Sequence, residues 1–335
     1  MSIILVIETN ENFLRNLKEE ENPPEPPSGD DPPEPPSGDD PPGPPPSGDD
    51  DNTYDYSDYK ATSTNDNLTN QQLTSTVSDQ SVVYINNTGI TILNSGLTKE
   101  SGDSSNIENS EFYGVNAAVL VQGGEVEITG GSITTKAKGA NCLCATNKAK
   151  VTISGTTITS TASSSARGLH ATYGGEITAS NVTISSTGGS CANLATDRGE
   201  GVVTCSQCTL STGGSGSPLI YSTGQITVSG STGKSTMAQI AVVEGKNTAT
   251  VKDKSKLECY GRGNRNNVDN CGVFLYQSMS GDAEDGVSNF ICQDSSLTIS
   301  SESSVYSTAP MFLITNTKAN INLEKCVLVL ALKYF

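Results

Sequence analysis

Short alternating segments of Val, Ile and Thr, broken by Gly or Asn every few residues, run along the chain from about Ser81 onward. Alternation of apolar and polar residues is typical of a half-buried β-strand, and Gly or Asn at the breaks is typical of turns. The pattern therefore predicts many short strands and leaves no room for a long helix.

These segments form a repeat. In fragments such as "GEVEITGGSIT" and "AKVTISGTTIT", a central apolar or small residue recurs in steps of 25, 26, 26, 23 and 23 residues. The central residues are Ile128, Ile153, Ala179, Cys205, Val228 and Val251. Most units end on a second apolar residue that follows the centre by five or six positions. These residues are Ile133, Ile158, Ile184, Leu210 and Leu257. Because one such unit cannot bury its apolar face alone, the repeat predicts a parallel β-solenoid of about eight stacked coils.

A third set of fragments lies upstream in each unit: "LCATNKA", "LHATYGG", "NLATDRG" and "IYSTGQ". Their threonines predict a ladder of like side chains on neighbouring coils, and they are Thr146, Thr172, Thr196 and Thr223. The single histidine, His170, aligns with Cys144, Leu194 and Tyr221. Those are packing residues, so a structural role is favoured over a catalytic one for His170.

This style of repeat resembles the right-handed parallel β-helix proteins of the pectate-lyase-like superfamily, and more closely their Thr/Ser/Gly-rich, adhesin-like surface members. The resemblance covers about residues 81 to 335 and implies an all-β, right-handed parallel β-helix. It implies a non-catalytic adhesin-like or structural module, secreted or at a cell surface, that contacts carbohydrate or other surface components. The alternative is a polysaccharide lyase or glycoside hydrolase acting on acidic plant or microbial polysaccharide.

Catalytic signatures of such enzymes are missing from the regular coils between Gly123 and Gly245, which contain no N-x-D, D-D, G-H-G or R-x-K. We therefore assign no catalytic residue. Candidate ligand-binding residues lie at neighbouring turns, close to Arg167, and they are Tyr173, Asp197, Arg198 and Tyr221. Tyrosine rings flanked by charged hydrogen-bonding groups suit the faces of sugars, and the alternative is a set of ordinary turn residues.

One insertion contains a candidate calcium site. The segment "MSGDAEDGVSN" places Asp282, Glu284 and Asp285 where their oxygens could act as Ca²⁺ ligands. It lacks the ordered pattern of a dedicated calcium loop, which favours a solvated turn. We expect no cofactor, with calcium as the one candidate.

The first eighty residues differ from the repeats. Residues 23–50 contain thirteen of the fifteen prolines, in copies of "PPEPPSGDD", and predict an extended, solvated polyproline-II spacer. We expect an N-terminal segment at residues 1–20 with a short helix over "ENFLRNLKEEE", a disordered spacer and linker at 21–80, and the β-helix at 81–335. The tyrosine tract "DNTYDYSDYK" is predicted to extend the linker.

The net charge and the amino-acid composition exclude some classes of binding partner. The net charge of −17 opposes binding to nucleic acid and to anionic membranes. A hydrophobic content of 34% without any Trp suits thin, repetitive β structure. No apolar run is long enough to span a membrane, so we expect no membrane insertion, and we expect a monomer.

The compartment is predicted from the N-terminal segment and from the N-glycosylation sequons. The start "MSIILVIETNENF" does not fit a secretory signal, whereas N-glycosylation sequons at Asn67, Asn86 and Asn181 fit export. We expect a secreted or surface protein; the alternatives are a cytosolic protein, another export route, or a sequence without its true N-terminus.

The nine cysteines are odd in number and match no zinc-ligand spacing. The "CSQC" pair lies in a strand pattern rather than at a helix start, where a redox-active thiolate would be stabilised. We therefore predict buried, structural cysteines.

Overall fold

The computed structural model describes residues 52–263, 268–278 and 283–330, together with the backbone of a strand at 2–8. Its strands, numbered in chain order, form three long sheets in which successive coils stack in parallel. Sheet A has eleven strands: β1 (Ser2–Glu8), β3 (Leu68–Thr69), β6 (Ile90–Leu93), β9 (Glu125–Thr129), β12 (Lys150–Ser154), β15 (Glu176–Ser180), β18 (Val202–Ser206), β21 (Gln225–Ser229), β24 (Thr248–Lys252), β27 (Val287–Gln293) and β30 (Lys318–Glu324).

The other two sheets have ten strands each. Sheet B contains β2 (Ala61–Thr64), β5 (Ser81–Ile85), β8 (Val119–Gln122), β11 (Leu143–Thr146), β14 (Leu169–Ala171), β17 (Leu194–Thr196), β20 (Ile220–Ser222), β23 (Ala241–Glu244), β26 (Val273–Tyr276) and β29 (Phe312–Thr315). Sheet C contains β4 (Gln72–Ser75), β7 (Gly96–Lys99), β10 (Ser132–Thr135), β13 (Thr157–Ser160), β16 (Thr183–Ser186), β19 (Thr209–Thr212), β22 (Thr232–Ser235), β25 (Lys256–Cys259), β28 (Ser296–Ile299) and β31 (Val327–Val329).

The core lies between the three sheets, and the repeat predicted the register of sheets A and C correctly. The predicted centres, from Ile128 through Val251, pair in sequence along sheet A and are each at most 1% exposed. The closing residues pair along sheet C in the same way, with Gly233 between Leu210 and Leu257. A Cβ at Gly233 would lie 2.7 Å from Leu219 Cδ1, so neighbouring leucines fill this level of the core.

The solenoid is longer than predicted. Ten strands per parallel sheet correspond to ten coils rather than eight, and the first coil begins at Ala61 instead of Ser81. The missed coil contains the short, polar strands β2 to β4, which bury little besides Leu68 and therefore leave a weak apolar signal. At the other end, β1 pairs antiparallel with β30. The predicted helix and the proline-rich spacer lie outside the described residues.

Sheet B departs from the predicted alignment by one residue. Leu194 pairs with Leu169, so Ala195 rather than Leu194 lies beside His170. Thr196 pairs with Ala171, and the predicted threonine ladder is wrong at this position. The reason is that the buried apolar column decides the register: aligning Thr196 with Thr172 would turn Leu194 away from the core.

The tyrosine tract packs on the solenoid instead of extending the linker. We call residues 52–60 the strap, because they lie across the outer face of sheet B. The ring of Tyr56 stacks on Tyr84 with ring centroids 6.1 Å apart, and its hydroxyl donates to the carbonyl oxygen of Tyr113 over 2.7 Å. Near the start of the strap, Asn52 Nδ2 donates to Thr146 Oγ1 over 3.0 Å. The segment that reads as an acidic linker is therefore part of the folded unit.

A short helix, α1 (Ile107–Tyr113), also covers sheet B and was not predicted. The side chain of Asn106 accepts hydrogen bonds from the first-turn backbone, and Gly114 ends the helix in the left-handed conformation with φ 73°. A Cβ at Gly114 would overlap Cys144 Sγ, so glycine is needed for this close approach. Among the residues that the structure describes, no helix is long and apolar enough to span a membrane.

The cysteines are structural, as predicted. Disulfides join Cys205 to Cys208 and Cys292 to Cys326. The five free cysteines are all buried, and they are Cys142, Cys144, Cys191, Cys259 and Cys271. Burial raises the pKa of Cys142, Cys144 and Cys259 to about 12.

We predict that the five free thiols are unreactive in the native protein. Protonated, solvent-inaccessible thiols cannot attack Ellman's reagent, so native protein at pH 8 should release almost no chromophore, whereas denatured, unreduced protein should titrate five thiols. Rapid labelling of two or more thiols under native conditions would contradict the packing described above.

We also predict that stability falls with rising pH above about 9. The pKa of the Cys144 thiol rises from 9.0 in the unfolded chain to about 12 in the folded protein. Between these pH values the native state binds more protons than the unfolded state, so it loses stability as pH rises through them. Burial lowers the pKa of Lys99 from its ordinary 10.5 to about 8. Between these two pH values the unfolded state binds more protons at Lys99, so this group alone makes stability rise with pH. The comparison with Cys144→Ala isolates the thiol: denaturant midpoints should fall less steeply with pH in the variant, and equal slopes would refute the assignment.

Candidate functional site

The outer face of sheet B is unusual because one of its outward columns is mostly apolar. Alternate residues of its strands point away from the core and pack into separate clusters outside it. Along successive coils this outward column consists of Tyr84, Leu120, Cys144, His170, Ala195, Tyr221, Val242, Phe274 and Leu313. The strap and α1 cover its N-terminal part, so the C-terminal part is the region available to a ligand.

A buried ion-pair network occupies the middle of this face. The Arg167 guanidinium lies 3.3 Å from Glu111 Oε1 on α1 and 3.3 Å from Asp197 Oδ2. Burial, with the Arg167 charge nearby, holds the pKa of His170 well below its usual range. Asn141 Nδ2 and His170 Nδ1 are 3.2 Å apart, and the imidazole is fully buried. These contacts fit the structural role predicted for His170.

Three of the four predicted ligand-binding residues belong to this covered region. Tyr173 stacks on Tyr113 of α1 with parallel rings 5.6 Å apart and is only 5% exposed. The guanidinium carbon of Arg198 lies 3.8 Å from the ring centroid of Phe112, also on α1. Asp197 is engaged by Arg167. The sequence placed these residues near one another correctly, but it could not show that a helix covers them.

The fourth predicted residue, Tyr221, lines an open cleft. The cleft lies over the C-terminal strands of sheet B, has a volume of about 140 Å³ and opens to solvent. Its lining residues are Gly216, Pro218, Tyr221, Gln239, Val242, Asp269, Phe274 and Tyr276. The rings of Phe274 and Tyr276 are parallel, with centroids 4.7 Å apart. The cleft thus combines aromatic faces with a few polar groups.

A buried carboxylate holds the two cleft tyrosines. The hydroxyls of Tyr221 and Tyr276 donate to Glu244 Oε2 over 2.8 and 2.7 Å. Glu244 is 1% exposed, and β23 places it beside Tyr276 in register. Burial raises the pKa of Tyr221 well above its usual range, and Tyr276 and Glu244 act in the same direction, so the hydroxyl keeps its proton.

Sequence reasoning missed Glu244 and Tyr276 as partners of Tyr221. The available signal was their position on sheet B: each lies two residues after an outward apolar residue, Val242 or Phe274. The contacts among these three residues form only when coils of different length stack on one another. Their spacing in the sequence therefore does not predict the contacts.

The structure adds no support for calcium at the predicted turn. Glu284 Oε2 lies 2.6 Å from Lys246 Nζ, Asp285 is exposed, and Asp282 lies outside the described residues. Within the described part of the chain, no group of three or more His, Cys, Asp or Glu could hold a metal ion. Calcium binding at this turn therefore stays a prediction.

The three glycosylation sequons are on the surface. Asn67, Asn86 and Asn181 are all exposed, which a glycosylated asparagine requires. Their modification stays a prediction.

Comparison with known proteins agrees with this architecture. The chain matches none of the curated proteins and none of the solved structures with which it was compared. A family model described as the right-handed β-helix region matches residues 88–255, half of the chain. This protein is therefore a member of the right-handed β-helix family.

Proposed function

We propose that this protein is a non-catalytic β-helix module, secreted or at a cell surface, that binds carbohydrate in the cleft on sheet B. The observation that carries the proposal is the cleft itself, in which Tyr221, Phe274 and Tyr276 present aromatic surface beside polar groups. Sugar rings have apolar faces and hydroxyl edges, and sites of this composition suit both.

The rigidity of the aromatic residues supports binding. Tyr221 and Tyr276 share one acceptor, Glu244, and Phe274 stacks on Tyr276, so the rings are fixed before a ligand arrives. A site that needs no rearrangement loses less conformational entropy on binding. The covered positions Tyr173 and Arg198 are not part of this proposed site.

The alternative is a polysaccharide lyase or glycoside hydrolase, and one observation bears on it. Asp197 and Glu244 project from the same face two strands apart, which corresponds to a backbone separation of about 10 Å. Carboxylate pairs of glycosidases must reach the scissile bond and, in inverting enzymes, a water molecule. Here Asp197 is paired with Arg167, and both carboxylates are at most 4% exposed. Asp197 already pairs with Arg167, and Glu244 already accepts from two tyrosine hydroxyls, and these contacts favour binding over proton transfer to or from a substrate.

We predict that Tyr276→Ala weakens glycan binding at least about tenfold, because it removes aromatic surface worth on the order of 1 kcal/mol or more and takes away the ring on which Phe274 stacks. The measurement is a glycan array followed by calorimetry on the best ligand. The matched control is Tyr260→Ala, because Tyr260 also donates to a glutamate, Glu302, over 2.8 Å but lies on another side of the rod.

Two outcomes would contradict the proposal. Equal loss of binding in Tyr260→Ala and Tyr276→Ala would exclude the cleft as the site. Release of reducing ends or unsaturated products from pectin, alginate or related polymers by the wild-type protein would establish an enzyme instead.

A further inference from the structure

Two buried oxygen atoms behind the cleft have no hydrogen-bond partner among the described residues. They are Glu244 Oε1 and Thr223 Oγ1. Thr223 directly follows β20 and Glu244 ends β23, and the two residues are neighbours on adjacent coils because Ser222 pairs with Val243. Each of them is 1% exposed. A buried acceptor without a donor costs free energy, so this position favours a donor from outside the described chain.

The surrounding charge is negative. Glu111, Asp197 and Glu244 bring three carboxylates to this part of the face, against two guanidinium groups: Arg167, which its two ion pairs already engage, and Arg198, which lies over the Phe112 ring of α1. Asp269 adds a carboxyl group to the cleft lining, and none of the described lining residues is Lys or Arg.

The negative charge lies close to any ligand in the cleft. Glu244 Oε2 is within 2.8 Å of the hydroxyl oxygens of two lining residues, Tyr221 and Tyr276. At that depth the field is screened less than at an exposed surface. A ligand therefore meets the Glu244 charge whether or not it displaces a tyrosine hydroxyl.

We infer that the cleft selects glycans that carry a protonated amine over neutral and acidic glycans. This inference rests on the proposed carbohydrate binding and specifies its ligand class. An ammonium group donates hydrogen bonds and accepts none, which matches Glu244 Oε1, a carboxylate oxygen that only accepts, and the Thr223 hydroxyl can accept from the same group. A uronic acid would bring a second carboxylate towards Glu244 and be repelled.

The test compares ligands of equal length: oligomers of glucosamine, of N-acetylglucosamine and of galacturonic acid. The first two share their ring faces and differ in the amine charge. Calorimetry at pH 6 should give an affinity for the glucosamine oligomer about tenfold or more above that for the acetylated oligomer, with galacturonate weakest, as expected for a hydrogen bond to a charged group.

Variants show whether Glu244 causes the preference. Glu244→Gln keeps the shape and an acceptor oxygen but removes the charge, so the glucosamine preference should shrink to about twofold or less while binding of the acetylated oligomer persists. Glu302→Gln is the control, because Glu302 also accepts from a tyrosine hydroxyl, and it should leave the preference unchanged. Thr223→Val removes the other unpartnered oxygen and provides a second test if Glu244→Gln fails to fold.

The outcomes separate the inference from the proposed function. Equal or tighter binding of the acetylated or galacturonate oligomer would overturn the inference and leave carbohydrate binding intact. A preference that survives both Glu244→Gln and Thr223→Val would also overturn it. No binding to these oligomers or to any glycan of the array would overturn both.

Discussion

The hydrogen bonds between coils constrain the rest of this structure. Each strand pairs with the strand before and the strand after it, so every position in one coil is fixed against its counterparts. The inward columns bury Ile, Val, Leu and small residues, and a shift of one position would turn them towards solvent. The core therefore sets the register, and each outer face displays the residues that this register leaves outside.

That constraint distinguishes sheet B from the other sheets. On sheet A the outward column is polar, as in Thr152, Thr178 and Thr204, and needs no cover. On sheet B it is apolar or aromatic, so its surface must be buried by something else. The strap and α1 bury its first part, and loop residues such as Gly216, Pro218 and Asp269 border its last part. The cleft is the portion of this face that the described residues leave open.

The sequence predicted the inward columns of sheets A and C because their Ile, Val and Leu recur at nearly constant steps between polar neighbours. Sheet B lacks that signal, since "LCAT" and "NLAT" are buried on both faces and small residues fit either direction. The resulting ambiguity of one residue produced the error at Thr196. The strap could not be predicted locally either, because an acidic tract becomes a packed element only when Tyr56 meets Tyr84.

The same reasoning explains why one site residue was predicted and others were not. Tyr221 lies within a recognisable repeat fragment, whereas Glu244 and Tyr276 come from later coils of different length. Their partnership exists only in the stacked structure. Composition could identify the types of side chain but not which of them the helix α1 would cover.

The ion pairs of Arg167 explain why the cover that α1 gives to sheet B is fixed. A buried guanidinium cannot be covered by apolar residues alone, and here it takes one carboxylate from α1, Glu111, and one from the next coil, Asp197. Removing either partner would leave buried charge uncompensated, so α1 is held to the sheet by more than its apolar contacts. The covered part of the face therefore ends at a fixed boundary. No described residue that lines the cleft belongs to α1, so a ligand there does not need to move the helix, which favours recognition by a preformed surface over recognition by displacement of α1.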